Sequence, residues 1–391
     1  VTRSEVQKQA AEAWAQFSES PFFSIIKMKT GMGKMRTAVY CILEAYKRGK
    51  LKDGDCIQFY AEVSVDAKSG RRRDFLKDFE TVCELEGISP SFDFSFHTYQ
   101  SQTIPRCTMA IFDEIDAVGE TLIQSLLKGT MDLMVALTAT ISENSQPGVV
   151  TKHELLMGLA PVSFSYGYNE ALRDGLTNQV FVYKVMNTLE DRLKEVNVTK
   201  KWVDTELKYW EFWTNKADEI KVEDPERTKR IRMFQMPRFL YTLPSKVRLV
   251  KKIIESTKGR TIIFGSTLEF LEKITPYVIK DDNTYLDDFR EGRINIVASA
   301  KKIRRGENLP GVVNIIVVGI GKNSDIIEQL IGRSRINEGG KTNLLFLVTS
   351  GTYEERWFNE IFVKKSKGRI KERLKFTLAK TLSWRDFDKK K

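Results

Sequence analysis

Three short clusters in this 391-residue chain carry side chains suited to phosphate chemistry. The first is Thr30-Gly31-Met32-Gly33-Lys34-Met35, which follows the apolar run Phe22–Ile26. Glycines in such a turn let backbone N–H groups converge on an anion, the helix N-terminus that follows adds its dipole, and Lys34 can reach terminal phosphates. The consensus phosphate loop has Gly where Met28 stands and Ser or Thr where Met35 stands, so the turn alone also reads as a plain strand–helix connection. The second cluster, Asp113-Glu114-Ile115-Asp116, directly follows the apolar run Thr108–Phe112. A nucleotide-bound Mg²⁺ needs an acidic ligand and an attacking water needs a base, roles that suit Asp113 and Glu114 in turn. The third lies far downstream, where Gln329 precedes Arg333 and Arg335. A guanidinium from a second domain can neutralise charge that develops on a transferred phosphoryl group.

These clusters need rigid elements to hold them. Ala38, Ile42, Leu43 and Tyr46 recur at helical spacing, so a helix is expected from the glycine turn to about Gly49. Val6, Ala10, Ala13, Trp14 and Phe17 form a similar stripe ahead of it. Further strands are expected at Cys56–Ala61, Phe92–Phe96 and Leu133–Leu137, and a helix at Phe75–Leu85. Strands alternating with helices argue for parallel sheets with helices on both faces, and such sheets bind ligands at the C-terminal strand ends. A second series begins near Thr261–Phe264 and continues through Asn295–Ala298, Val313–Val318 and Asn343–Val348. The expected organisation is one α/β domain over residues 1–166, a second over 167–361 and a basic tail over 362–391. Within the second domain, about 188–243 reads as a helical insertion without strand-like alternation. There Trp202, Glu206, Tyr209 and Trp213 recur at helical spacing, either as a packing stripe or as an aromatic surface for bases.

Composition narrows the class. Hydrophobic residues at 41% and charged residues at 29% are ordinary for a globular chain, and no run approaches the roughly 18 apolar residues of a membrane helix. The polar, amphipathic N-terminal stretch does not read as a secretory signal. Four scattered cysteines without a C-x-x-C pair, and only two histidines, argue against structural zinc or a disulfide framework and fit a cytosolic setting. The net charge is +11, and Lys364 to Lys391 holds 12 basic and 3 acidic residues. That concentration reads as a polyanion contact or as a solvated end.

In order along the chain these motifs resemble superfamily 2 helicases and translocases of the DExD/H type, in which two RecA-like domains clamp ATP. Gly31-Met32-Gly33-Lys34 resembles motif I, with Thr30 and Met35 beside it, and Asp113-Glu114-Ile115-Asp116 resembles motif II. Gln7 is similar to the adenine-reading glutamine, with Gln9 as the alternative. Thr138-Ala139-Thr140 is similar to the Ser-Ala-Thr motif that couples hydrolysis to domain movement. Thr98 and Tyr99 in the first half, and Gly265 and Ser266 in the second, resemble nucleic-acid contacts. Ser299 with Arg305, Gly306 and Asn308 resembles motif V, which touches backbone phosphates and nucleotide, and Gln329 to Arg335 resembles motif VI. The closest look is to UvsW-like phage helicases of branched DNA.

The resemblance implies an ATP- and Mg²⁺-dependent DNA helicase or translocase working on forked or branched DNA in replication, recombination or repair. It implies Asp113 as the Mg²⁺ ligand, movement in the 3′→5′ sense, and a monomer on DNA in the cytoplasm (the host's, if the chain is phage-encoded). Two departures stand out. Met35 cannot ligate Mg²⁺ as a hydroxyl does, and motif VI has the compact QxxGRxR form, which leaves open which of Arg333 and Arg335 is the finger. Other readings are a double-strand translocase, an RNA helicase, and a nucleic-acid clamp that binds ATP with little hydrolysis.

Overall fold

In the fourth strand of the chain, successive residues are buried on opposite faces: Met109 and Ile111 in one apolar cluster, Ala110 and Phe112 in another. A strand apolar on both faces belongs in a parallel sheet covered on both sides. The structure, a computed structural model, describes residues 1–17, 22–29, 31–61, 71–99, 104–119, 122–123, 126, 128, 130–139, 152–191, 196–199, 202–280, 284–300, 309, 311–319, 340–363 and 377–387. The chain divides into two units, Val1–Leu176 and Thr177–Lys391. Among the described residues no helix is long and apolar enough to cross a membrane.

The first unit runs α1 (Arg3–Phe17), β1 (Phe22–Met28), α2 (Lys34–Lys47), β2 (Cys56–Ala61), α3 (Arg71–Glu86), β3 (Asp93–Thr98), β4 (Cys107–Asp113), β5 (Met131–Thr138), α4 (Lys152–Leu159), β6 (Val162–Tyr166) and α5 (Tyr168–Arg173). Its strands form one parallel sheet in the order β3-β2-β4-β5-β1-β6. Val6, Ala10 and Trp14 of α1 and Ala38 and Ile42 of α2 cover one face, and Ile115, Leu122 and Leu156 lie against the other. The Trp14 indole also donates to the Met134 carbonyl, 3.0 Å away, and ties α1 to β5.

The second unit runs β7 (Gln179–Asn187), β8 (Val196–Thr199), β9 (Trp202–Asp204), α6 (Glu206–Glu219), α7 (Pro225–Arg230), a π-helical turn (Ile231–Gln235), α8 (Met236–Tyr241), α9 (Pro244–Ser256), β10 (Arg260–Phe264), α10 (Leu268–Glu272), β11 (Val278–Ile279), α11 (Thr284–Arg290), β12 (Ile296–Ser299), β13 (Val312–Val318), β14 (Lys341–Thr349), α12 (Tyr353–Phe358), a second π-helical turn (Asn359–Val363) and β15 (Thr377–Leu378). Its main sheet is parallel, in the order β11-β12-β10-β13-β14-β7-β15. Val247, Val250 and Ile253 of α9 pack on Ile263, Ile316 and Leu345. Lys246 and Glu354, both fully buried, meet at 2.8 Å beneath this layer and pin α9 to α12.

One sequence expectation needs correction. The 188–243 region is not helical throughout, because β8 and β9 form an antiparallel pair within it. Val196, Val198, Thr199 and Val203 are β-branched, and that local preference prevails. Trp202 therefore sits in β9 rather than on the helix, which breaks the proposed stripe. What remains of it packs: Tyr209 lies 4.5 Å from Phe239, ring centre to ring centre. Of the basic end, 364–376 and 388–391 lie outside the described residues, and Thr377–Phe387 is packed. β15 pairs with β7, and Leu382 and Phe387 are buried in the second core.

Candidate functional site

Strand register sets the first layer of the site. On β4 and β5, Asp113 lies opposite Leu137, and on β5 and β1, Thr138 lies opposite Lys27. The ends of β1, β4 and β5 therefore come into line, with the glycine turn leaving β1 and the acidic turn leaving β4.

The glycine turn has the geometry of an anion cradle. Gly31 and Gly33 have φ of +93° and +83°, a region that costs a side-chain-bearing residue energy. A Cβ at Gly33 would also run into the Gln7 side-chain amide and push it aside. Gln7 is buried and donates its amide to the Met32 carbonyl at 2.7 Å, while Gln9 is exposed. The structure thus separates the two glutamine candidates and places Gln7 on the turn. Helix α2 starts at Lys34, so its unpaired first amides adjoin the cradle.

Lys34 and Glu114 close the gap between the two turns. The Lys34 Nζ lies 2.6 Å from Glu114 Oε1, and their side chains are only 9% and 10% exposed. Glu114 has φ of +61°, the one non-glycine residue in that region among those described. The backbone strain, about 1–3 kcal/mol, is a cost that surrounding structure must hold in place. Tyr99 helps to do so, its hydroxyl donating to the Asp113 carbonyl at 2.6 Å. Asp113 itself is 5% exposed at the strand end. Asp116 accepts a 2.9 Å hydrogen bond from the Thr138 hydroxyl, which joins the acidic turn to the end of β5.

Met35 is half-buried and packs against the apolar cluster between α2 and the sheet. Thr37, the hydroxyl nearest along the helix, donates back to the Gly33 carbonyl at 3.2 Å and is fully buried. Neither side chain offers an oxygen in place of the consensus hydroxyl. No three His, Cys, Asp or Glu side chains gather as a metal site among the described residues. A divalent cation beside Asp113 would need phosphate and water oxygens to complete its shell.

In the second unit, Phe264 lies opposite Ser299, and the Gly265 amide donates to the Ser299 carbonyl at 3.2 Å. Gly265, Ser266 and Ser299 are thus neighbours at the ends of β10 and β12. Ser266 is exposed, whereas Ser299 is buried. Thr98 ends β3 in the first unit and is half-buried. Thr30, Thr140, Arg305, Gly306, Asn308, Gln329, Arg333 and Arg335 lie outside the described residues. Motif reading did not foresee that Tyr99 would brace Asp113 or that Glu114 would be strained. A tyrosine is not marked in sequence as a brace, and positive φ at Glu has no compositional signal.

No family model matches the sequence, nor does any curated relative. Solved structures do resemble it. S. cerevisiae Dbp5 bound to RNA and ADP BeF3 matches with a TM-score of 0.58 at 13% identity, over 98% of this chain and 90% of that one. A Vibrio vulnificus YJ016 fragment described as an HsdR subunit of a type I restriction enzyme matches at 0.56 and 16%, over 92% of this chain and 65% of that one. The ATP-dependent Type ISP restriction-modification enzyme LlaBIII bound to DNA matches at 0.54 and 16%, over 90% of this chain. The chain spans 29% of LlaBIII and just under two thirds of the HsdR fragment. At these identities the likeness shows the fold alone, two RecA-like parallel-sheet domains.

Proposed function

We propose that the chain is an ATP-driven nucleic-acid helicase or translocase. The observation that carries this reading is the Lys34–Glu114 pair, whose 2.6 Å contact from Nζ to Oε1 links a glycine cradle to a strained acidic strand end. A cradle built from two left-handed glycines, a buried lysine and an adjacent carboxylate fits a nucleoside triphosphate with its divalent cation. Gly31 to Lys34 would hold the phosphates and Asp113 the Mg²⁺, with Gln7 beside the turn. The nucleotide supplies a phosphoryl group and the cation neutralises charge on it. Lys34 exchanges Glu114 for phosphate oxygens, and Glu114, released, orients water and accepts its proton. Arg333 and Arg335 neutralise developing charge. The Asp116–Thr138 hydrogen bond ties the acidic turn to the coupling segment that continues to Thr140. Gly306, Asn308 and Gln329 complete the nucleotide contacts.

DNA is the proposed track, gripped near Thr98 and Ser266 and by Arg305, with forked or branched DNA as substrate and a monomer as the working form. Tyr99 and Ser299 support these contacts from behind, since one is bonded to the Asp113 carbonyl and the other is buried. Contacts of this kind go to phosphates and sugars, which carry no sequence information. LlaBIII bound to DNA and Dbp5 bound to RNA share the fold, so both polymers belong in the test. Phosphate release should rise on adding forked DNA, and Lys34→Ala should abolish it. Stimulation by RNA alone would move the track to RNA. Absence of turnover with either polymer would favour the ATP-binding clamp, a reading that the packing of Met35 against the apolar cluster supports.

A further inference from the structure

The second unit holds a cleft of about 560 Å³ bordered by α6, the π-turn Ile231–Gln235 and α12. Its size is that of a small-ligand site. Three aromatic rings form a row in its lining. Trp210 lies 5.7 Å from Tyr353, and Tyr353 lies 4.4 Å from Trp357, centre to centre. Arg232 and Arg356 also line the cleft, with side chains 44% and 65% exposed. Arg232 pairs with Asp218, and Arg356 with Glu360 at 3.9 Å. Such exposed pairs contribute little and exchange readily for another anion.

Core packing accounts for the inner faces of these rings, since Trp210 and Tyr353 abut buried clusters. It does not account for the polar groups. The Tyr353 hydroxyl and the Trp357 indole N–H are shielded from water with no hydrogen-bond partner among the described residues. Leaving such groups unpaired is costly, and each such group in a folded protein calls for an explanation. Two π-turns adjoin the cleft, one carrying Arg232 and the other continuing α12 past Trp357. Turns of that type are rare and gather at functional sites.

We infer that this cleft takes an unpaired nucleotide, its base against the aromatic row and its phosphate between Arg232 and Arg356. The inference rests on the reading of the chain as a nucleic-acid motor and adds a contact outside its shared motifs. Stacking on aromatic rings tolerates any base, and guanidinium forks match phosphate oxygens. A base in a single strand and a free nucleotide present the same chemistry.

The test is tryptophan fluorescence of the full chain titrated with a short oligo(dT), with dTMP as competitor. A Lys34→Ala background keeps dTMP off the phosphate turn. Arg232→Glu/Arg356→Glu, two exposed changes checked by thermal melting, should weaken oligo(dT) binding tenfold or more. The slope of log K against log salt should fall by about 0.7, one phosphate contact on a single strand. Trp357→Phe should lose less affinity than Trp357→Ala. Competition by dTMP identifies a free nucleotide as the source, and its failure beside arginine-dependent oligo(dT) binding identifies the strand. Unchanged affinity and slope in the arginine variant overturn the cleft and leave the motor reading standing. No binding of either probe by the background chain overturns both.

Discussion

Replacing Glu114 with Gln should tighten ATP binding while it stops turnover. Lys34 is held 2.6 Å from Glu114 with little solvent around either side chain, so a phosphate must draw the lysine away before it can use it. At an effective dielectric of 20 the Coulomb attraction at that distance is about 6 kcal/mol, but burial of both charges offsets much of it. The net worth of a hydrogen bond between charged groups is about 1.5–3 kcal/mol, against about 1 kcal/mol for a neutral acceptor. The neutral amide of the Glu114→Gln variant would therefore release Lys34 at about 0.5–2 kcal/mol less cost, which is roughly a 2- to 30-fold gain in affinity. Removing the negative charge also lessens its repulsion of the phosphates, which acts in the same direction. The two effects separate in a Lys34→Ala background, where only the repulsion part survives. Titration of a fluorescent ATP analogue into the parent, both single variants and the double variant measures each term, and phosphate release should fall by about 10²–10⁴ with Glu114→Gln. Equal affinities for the parent and Glu114→Gln would refute the argument. So would the same gain with and without Lys34, since Glu114 would then place no restraint on the lysine.

Three further outcomes follow from the geometry. Gly33→Ala should cost about 2 kcal/mol of stability and most nucleotide affinity, because its φ of +83° strains an L residue and its Cβ displaces the Gln7 amide; urea melts and nucleotide titration read the two losses. Lys246→Met strands Glu354 in the second core and should cost about 3–5 kcal/mol, whereas Lys246→Met/Glu354→Leu should recover most of it in thermal melts. Met35→Thr should lower the Mg²⁺ midpoint of turnover and leave the rate equal or faster; an unchanged midpoint in a Mg²⁺ titration would mean that the cation does not approach this position.

Much of the architecture was legible along the chain because its physics is local. The apolar runs at Cys56–Ala61 and Thr108–Phe112 and the helical stripe through Ala38 and Ile42 are properties of short windows, and they appear as β2, β4 and α2. The glycine turn was legible for the same reason, since backbone freedom and the onset of a helix are written in neighbouring residues. The β8–β9 pair and the docked segment Thr377–Phe387 were obscured by the charged stretches that precede them in the sequence, whereas β-branched and apolar residues decide where they pack.

Residue types alone determined that a glycine turn with a lysine, an acidic strand end and a pair of arginines occur in this order. The tertiary structure decided which glutamine reaches the cradle, because α1 buries Gln7 against Met32 and leaves Gln9 in solvent. It also decided that Lys34 is held by Glu114, that Glu114 is strained and that Tyr99 braces Asp113. The row of Trp210, Tyr353 and Trp357 joins residues more than a hundred positions apart. Such contacts depend on strand order and register, which set distances between residues remote in the chain, and no local pattern encodes those distances.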